Sequence, residues 1–277
     1  DTSRVTAEIR SKPFLATASF TCVDLSLAGH WKGFKGERSS TYFGFIEVLR
    51  MLGARQPSIV MLENVYGFLT SNDGKDFERA IGDLADLGYW IDAILLDARW
   101  FVPQSRPRVF VFGFHSSILD FVIPRSSDDL SFSSEWMSAI EATSTLRPSS
   151  LRRAMDNVEL STGWATVPFR PPVQLPYSLS SVIDIDDEQE WWDQKMVSHH
   201  YELMEPPSRA RVDYYIRSGE TAVGTAFRRT RREKPRTEVR FDMAGCLRTP
   251  RGGSAKQVVV VIVAGKLRMR WMSAIEY

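Results

Sequence analysis

Strand-like and helix-like patterns alternate along the first part of the chain. Short, continuously apolar segments predict four buried strands, at residues 15–20, 58–62, 89–96 and 109–114. Apolar residues recur at helical spacing over 41–52 and 76–87, and Gly53 and Gly88 follow these segments as helix stops. This alternation predicts an α/β fold, built on part of a doubly wound, mostly parallel sheet that is covered on both faces.

Each of the two predicted helices carries one apolar face that is expected to be buried. These faces comprise Phe45, Val48, Leu49 and Leu52 in the first helix, and Phe77, Ala80, Ile81, Leu84 and Leu87 in the second. In sheets of this kind, ligands bind beyond the carboxyl ends of the strands. Side chains that follow the predicted strands are therefore the first candidates for function.

The pattern changes after residue 115. Periodicity weakens, proline, serine and charged residues become more frequent, and a basic run occupies 228–240. We predict a smaller, irregular second domain at 116–241, between a catalytic α/β domain at 1–115 and a segment at 242–277 that returns to it. The basic run is either a solvated face or a surface that contacts phosphates, and phosphate contact is the more specific interpretation.

The last stretch becomes regular again. Val258–Val263 and Leu267–Trp271 flank a tight turn at 264–266, which predicts a β-hairpin. Ser273 is followed three residues later by Glu276, a capping-box spacing that predicts the start of a helix. Because only its first turn is present, and because no glycine-rich strand-to-helix loop occurs, we expect the sequence to be part of a longer protein or half of a split one.

Composition excludes several classes of protein. The net charge is +1, so the chain as a whole does not select a partner by its charge. The longest apolar run, at 258–264, falls far short of the roughly 20 residues that cross a bilayer. Two cysteines, Cys22 and Cys246, form no disulfide framework and favour a reducing, cytosolic setting.

Two reactive side chains follow predicted strands. Cys22 comes just after the strand at 15–20, and Glu63 comes just after the strand at 58–62. Taken singly, a free cysteine is more often a buried structural residue, and a strand-end carboxylate more often caps the next loop. Because parallel strands end at the same edge of a sheet, the two together favour a reaction centre.

Two basic segments are further candidates. In the segment 104–108, Arg106 and Arg108 alternate, so they share one side of an extended chain. A guanidinium can hold a carbonyl or a phosphate through two parallel hydrogen bonds, although a solvated loop is the simpler interpretation. The glycine-rich segment 246–257 is either a flexible connection or a phosphate-binding loop. His199 and His200 lack metal-binding spacing.

In their order along the chain, these motifs resemble those of the DNA (cytosine-5) methyltransferases. The segment around Cys22 resembles the family's catalytic loop, and 63–65 matches its Glu-Asn-Val motif. Residues 104–108 match its Gln-x-Arg-x-Arg motif, and 247–254 resemble the motif that follows its target-recognition region. The resemblance implies the fold of S-adenosylmethionine-dependent methyltransferases, with target recognition at 116–241. Thr21 and Val23 depart from the family's usual Pro and Gln.

The resemblance also implies a reaction, in which a methyl group passes from S-adenosylmethionine to carbon 5 of a cytosine flipped out of double-stranded DNA. Cys22 would add to carbon 6, Glu63 would donate a proton to N3, and Arg108, supported by Arg106, would hold O2. The expected DNA contacts are Ser26, Lys32, Lys35, Arg38, Gln104, Arg248, Arg251, Gly252, Gly253 and Ser254. The expected donor contacts are Asp1, Thr21 and Thr41. The rest of the donor site would come from segments outside this sequence or from a second chain.

Two other functions stay compatible with the sequence. One is a non-catalytic DNA-binding relative, and the other is an RNA cytosine methyltransferase. The joint presence of Cys22, Glu63 and Arg108 favours an enzyme, whereas Thr21 and Val23 favour binding without turnover. The long region 116–241 favours DNA over RNA, because it suggests a domain that reads sequence.

Overall fold

A computed structural model describes residues 2–20, 40–125, 134–167, 169–173, 176–185, 190–231, 234–247 and 256–277. The chain divides into two compact units. The first unit comprises Asp1–Leu96 and Pro107–Pro171, and the second unit comprises Asp97–Arg106 and Pro172–Tyr277. Among the described residues, no helix is both long enough and apolar enough to span a membrane.

A four-stranded sheet forms the centre of the first unit. Its strands are β1 (Leu15–Ser19), β2 (Ile59–Val65), β3 (Tyr89–Asp97) and β4 (Pro107–His115), in the order β1-β2-β4-β3. β1 and β2 are parallel, whereas β4 runs antiparallel beside β2. The predicted strands and the α/β class are confirmed. The direction of β4 was not predicted, and it follows from the short connection after β3, since a parallel crossover needs about a dozen residues or more.

Helices cover this sheet, as predicted, and three further helices and a short strand pair were not predicted. The helices of the first unit are α1 (Thr2–Glu8), α2 (Ser40–Leu52), α3 (Lys75–Ala85), α4 (Ser134–Ala142) and α5 (Ser149–Asp156). The short strands β5 (Ile123–Pro124) and β6 (Ala165–Thr166) pair antiparallel. The predicted face of α3 is buried, with Leu87 just beyond the helix packed against the same core. The predicted face of α2 is partly wrong, because Tyr42 and Ile46 are buried whereas Phe45 and Val48 are only partly so.

One buried ion pair joins β3 to the segment that follows β4. The Arg147 guanidinium meets the Asp92 carboxylate at 2.6 Å (Nη2 to Oδ2) and 3.3 Å (Nε to Oδ1). Thr166 donates to the same carboxylate at 2.9 Å, and both charged side chains are almost fully buried. Burial raises the pKa of Asp92, although the charge and hydrogen bonds of Arg147 act in the opposite direction. The two buried charges are therefore stable in the interior only because each is hydrogen-bonded to its partners.

A second four-stranded sheet forms the centre of the second unit. Its strands are β7 (Ala222–Arg231), β8 (Lys234–Phe241), β9 (Val258–Val263) and β10 (Lys266–Trp271), all antiparallel, in the order β10-β9-β7-β8. Helices α6 (Gln194–Glu202) and α7 (Pro206–Ser218) contribute Val197 and Val212 to the core on one face. Five of the six residues of β9 are buried because both faces of the sheet are covered.

The predicted hairpin of the second unit is confirmed. Ala264 and Gly265 occupy the turn with φ values of 48° and 73°, and a Cβ on Gly265 would approach the carbonyl oxygen of Ile216 to 2.8 Å. The turn therefore requires glycine at 265. Within the irregular domain predicted at 116–241, β7 and β8 form a regular hairpin that was not predicted, and most of the basic run lies along its two strands. Charged residues hid the strand signal there, since half-buried strand positions such as Arg236, Glu238 and Arg240 accommodate them.

The predicted capping-box bond is present, but it closes a turn rather than a helix. The Ser273 N–H donates to Glu276 Oε2 at 2.8 Å. Arg270, which is almost fully buried, donates to both oxygens of Glu276 at 2.6 and 2.7 Å. Burial alone would raise the pKa of Glu276, yet the hydrogen bonds from Arg270 and Ser273 and the charge of Arg270 outweigh burial and leave the pKa lowered.

We predict that Arg147→Met lowers the free energy of unfolding by about 3–5 kcal/mol, because it leaves the Asp92 carboxyl buried without its partner. Urea denaturation followed by tryptophan fluorescence measures the change. Arg152→Met, on the exposed side of α5, is the matched control and should change stability by less than about 0.5 kcal/mol. Equal behaviour of the two variants would contradict a structural role for the pair.

We also predict a pH-dependent contribution from Glu276. Because its pKa is lowered in the folded state, the stabilisation is complete above its ordinary value of 4.5 and is lost as the pH falls through the folded pKa. The stability difference between wild type and Glu276→Gln should therefore be largest near neutral pH and should shrink in acid. Urea titrations at several pH values measure it, with the exposed Glu202→Gln as control. A difference that grows in acid would contradict the assignment.

Candidate active site

Glu63 lies near the end of β2, which is flanked by β1 and β4 in the sheet. In the sheet register, it stands opposite Ser19 on β1 and opposite Phe110 on β4. Arg108 stands opposite Val65, two residues further along β2, so it is a diagonal neighbour of Glu63 on the same face. The strand order therefore brings a hydroxyl, a carboxylate and a guanidinium together at one edge of the first unit.

Both oxygens of the Glu63 carboxylate are held. Arg108 Nε lies 2.8 Å from Oε1, and the Ser19 hydroxyl donates to Oε2. The side chains of Glu63 and Arg108 are 25% and 16% exposed, so a ligand can reach the pair while bulk water screens it only in part. Such a carboxylate has a fixed direction and an accessible face, which suits proton transfer to a bound group.

Ser19 was not predicted, although a signal for it was available in the sequence. It ends a predicted strand just as Glu63 follows one, and parallel neighbours bring such ends together. The hydroxyl was overlooked because serine at a strand end is common and carries no chemistry alone. Its place beside the carboxylate depends on register, which strand patterns alone do not fix.

The second residue of the Glu-Asn-Val motif anchors the end of β1. Asn64 is buried, accepts from the Val65 N–H at 2.9 Å and donates to the Phe20 carbonyl at 3.5 Å. The Phe20 ring packs against Tyr42 and Phe68, with centroid distances of 5.1 and 5.6 Å. The residue just before Thr21 is therefore fixed by both its backbone and its ring.

Gln104 and Arg106, the other two named residues of the Gln-x-Arg-x-Arg motif, belong to the second unit. Gln104 bridges Ala244 in a parallel pairing. Arg106 donates through Nη1 to Cys246 Sγ at 3.1 Å and to the Leu247 carbonyl at 3.3 Å. The side-chain contacts of Arg106 are thus to the segment before 248–255, whereas those of Arg108 include Glu63.

Most predicted DNA and donor contacts lie outside the described residues. These are Asp1, Thr21, Ser26, Lys32, Lys35, Arg38, Arg248, Arg251, Gly252, Gly253 and Ser254. Cys22, the predicted nucleophile, also lies outside the described residues. Thr41, the other predicted donor contact, is exposed in the first turn of α2. These assignments stay predictions.

Two further features of the described part of the chain lie apart from the candidate residues. A cavity of about 630 Å³ is lined by residues of α6 and β10 and by Ile216 of α7. None of the predicted site residues lines it. Where residues are described, no group of three or more His, Cys, Asp or Glu side chains is arranged to hold a metal ion.

Comparison with protein families shows which family the chain belongs to. The model of the C-5 cytosine-specific DNA methylases matches residues 4–211. The chain belongs to this family. The match includes the strands that carry Ser19, Glu63 and Arg108 and the segment that contains Cys22.

Curated relatives match a shorter part of the chain. Type II methyltransferase M.BsuFI of Bacillus subtilis is 38% identical over 115 residues, which is 40% of this chain and 27% of the relative. Type II methyltransferase M.HpaII of Haemophilus parainfluenzae is 33% identical over 129 residues, or 45% of this chain and 35% of the relative. The chain thus aligns with about a quarter to a third of these relatives' length.

Solved structures give a weaker likeness. The Dnmt2 methyltransferase of S. pombe has a TM-score of 0.40 at 13% identity, covering 74% of this chain and 49% of that one. The methyltransferase EhMeth of Entamoeba histolytica has a TM-score of 0.42 at the same identity and the same coverage.

We predict that Glu63→Gln changes the free energy of unfolding by less than about 1 kcal/mol, because a partly exposed pair contributes little to stability. Urea denaturation measures the change, and Arg147→Met provides the comparison with a buried pair. A small change would mean that the Glu63–Arg108 pair contributes little to the stability of the fold. A loss as large as that of Arg147→Met would instead make the pair structural.

Proposed function

We propose that the protein transfers a methyl group to carbon 5 of a flipped-out cytosine in DNA, through a covalent adduct with Cys22. The observation that carries the proposal is the Glu63 carboxylate, held by Arg108 and Ser19 beside the strand that leads to Cys22. Family membership supplies the reaction class. RNA would be chemically compatible, but the DNA methylase match and the sequence-reading region favour DNA.

The base must first be activated, because carbon 5 of cytosine is a poor nucleophile. The Cys22 thiolate adds to carbon 6, which moves electron density toward N3 and carbon 5. Glu63 must carry a proton when the base binds; it donates that proton to N3 as charge develops there and becomes the carboxylate that meets Arg108. Carbon 5 would then take the methyl group from the sulfonium sulfur of the donor, which would leave as a neutral thioether. Carbon 5 would lose its own proton to a base, and the thiolate would leave as the carbon 5–carbon 6 double bond re-forms. Glu63 regains the proton from N3 in the last step.

Arg108 and Ser19 position these events. The Arg108 guanidinium would hold O2 of the base through N–H groups other than the Nε–H that meets Glu63. Ser19 holds the other carboxylate oxygen, so the carboxyl group cannot rotate away from the base. This contact makes Ser19 a positioning residue for the proton transfer.

DNA would be bound by two basic segments of the sequence. Ser26, Lys32, Lys35 and Arg38 follow Cys22, and Arg248, Arg251, Gly252, Gly253 and Ser254 follow β8. Phosphate contacts from such segments position the duplex, and unstacking the target base costs a few kcal/mol that these contacts must offset.

S-adenosylmethionine is the proposed methyl donor, since an electrophilic methyl group is what carbon 5 requires. Of the residues proposed to meet it, only Thr41 is described, as a single exposed hydroxyl on α2. One hydroxyl does not make a binding site, so the described residues support the chemistry of the base and not that of the donor. The remaining donor contacts would come from residues outside the described part or from a second chain.

A trapping experiment tests the proposal. Duplex DNA that carries 5-fluorocytosine should form an adduct that survives denaturation, because fluorine at carbon 5 cannot leave as a proton does. We expect the adduct with the full protein and S-adenosylmethionine, and none with Cys22→Ala. DNA binding without any adduct would reduce the protein to a non-catalytic DNA-binding relative, and an adduct on RNA alone would change the substrate.

We further predict a graded loss of turnover in three variants. Glu63→Gln should lower kcat by roughly 10²-fold or more, because it removes the proton donor. Arg108→Met should lower kcat by about 10²-fold or more, because it removes stabilisation of charge on the base. Ser19→Ala should lower kcat by about tenfold through one lost hydrogen bond, and Ser19→Thr should restore part of it.

Methyl transfer from labelled donor measures these rates, and the exposed Thr17→Ala on β1 is the control. Normal turnover by Glu63→Gln would contradict the assignment.

A further inference from the structure

We propose that Arg106 is a positioning residue that anchors residues 244–247, and that through this segment it sets DNA affinity and sequence discrimination. This role differs from direct support of the reacting base. The inference rests on the proposed function in one respect, namely that Gln104 and residues 248–254 contact DNA.

The backbone of residues 103–105 is paired with Ala244. The Ala244 N–H donates to the Pro103 carbonyl at 2.7 Å, and the Ser105 N–H donates to the Ala244 carbonyl at 2.9 Å. These bonds form the parallel bridge between Gln104 and Ala244. An isolated bridge of this kind is short and would fray without side-chain support.

The Arg106 side chain supplies that support. Its Nη1 donates to Cys246 Sγ at 3.1 Å and to the Leu247 carbonyl at 3.3 Å. One nitrogen thus spans two consecutive residues, directly before the glycine-rich segment 248–255. The Leu247 carbonyl belongs to the backbone, so the contact holds the main chain of residue 247 as well as the Cys246 side chain.

Arg106 is itself held in place by a second side chain. Asp97 Oδ1 accepts from the Arg106 N–H at 2.6 Å and from the Arg99 N–H at 3.2 Å. Asp97 Oδ2 accepts from the Ser105 hydroxyl at 3.4 Å. The connection between β3 and β4 is therefore ordered by one carboxylate, and Arg106 projects from an ordered backbone.

Arg106 and Arg108, separated only by Pro107, thus make different contacts. Arg108 belongs to the first unit and contacts Glu63, whereas Arg106 belongs to the second unit and contacts Cys246 and Leu247. Because the Arg106 side chain contacts residues 246 and 247, we expect its removal to weaken DNA binding more than it slows the chemical step. KM for DNA and sequence selectivity should change, while kcat should not.

The test compares variants of the full protein by DNA binding, turnover and hydrogen–deuterium exchange. We expect Arg106→Met to raise KM and the dissociation constant for a fluorescein-labelled duplex by roughly tenfold, the effect of one or two lost hydrogen bonds. The value of kcat should stay within about twofold, unlike the roughly 10²-fold loss expected for Arg108→Met. Exchange should rise in peptides that cover 98–106 and 244–247, and methylation of a random-sequence DNA pool, read by bisulfite sequencing, should become less selective.

Two further variants and a control sharpen the result. Arg106→Lys keeps a nitrogen that can donate to both acceptors, so it should restore part of the affinity. Cys246→Ala removes one acceptor and should give a smaller change of the same kind. Arg217→Met, at an exposed position in the last turn of α7 in the same unit, is the control and should behave as wild type.

The outcomes separate this inference from the proposed function. A loss of kcat without a change in KM would overturn the inference, because it would place Arg106 at the reacting base. Unchanged exchange at 244–247 in Arg106→Met would also overturn it. If the wild type binds DNA but does not methylate it, the proposed function fails, and the exchange and affinity measurements still decide the role of Arg106.

Discussion

The Glu63–Arg108 ion pair depends on one constraint, the position and direction of β4 beside β2. Only an antiparallel neighbour in this register places a basic residue diagonally across from Glu63 on the same face. On its other side, parallel β1 places Ser19 directly opposite. A shift of either strand by one residue would turn these side chains to opposite faces of the sheet and separate the three groups. The chemistry proposed for this edge is therefore a property of strand register as much as of residue type.

The same register is secured by groups that take no part in chemistry. Asn64, next to Glu63, uses its buried amide to hold the end of β1 through the Phe20 carbonyl. The Phe20 ring packs in an aromatic cluster with Tyr42 and Phe68, so helix packing and strand pairing fix the same residue. On β3, Asp92 and Arg147 bind the segment after β4 to the sheet. These contacts give the Glu63 carboxylate the rigid support that the proposed proton transfer requires.

Sequence patterns predicted the parts of the fold in which one signal dominates. The four strands of the first unit, α3 and the hairpin at 258–271 follow from apolar periodicity and from a turn that requires glycine. Three features could not be predicted for physical reasons. The direction of β4 depends on connection length, and charged residues alternate with buried ones along 236–241. The buried face of α2 depends on Tyr42, whose hydroxyl is satisfied at 2.9 Å by Asp83. For the candidate site, motif order indicated Glu63 and Arg108, but Ser19 depends on register and the partners of Arg106 depend on residues 140 positions away.

Arg106 and Arg108 show why a motif does not assign a role to each of its residues. Their alternation in the sequence favours a shared side and a shared ligand, and this inference is sound for an isolated extended strand. In the structure, β4 begins at Pro107. Before it, Gln104 pairs with Ala244, and the Arg106 side chain contacts Cys246 and Leu247. A guanidinium that makes contacts to a sulfur and a carbonyl has two fewer hydrogen-bond donors left for a substrate. The two arginines therefore have separate partners, Glu63 for Arg108 and residues 246–247 for Arg106, and alternation in the sequence does not imply a shared ligand.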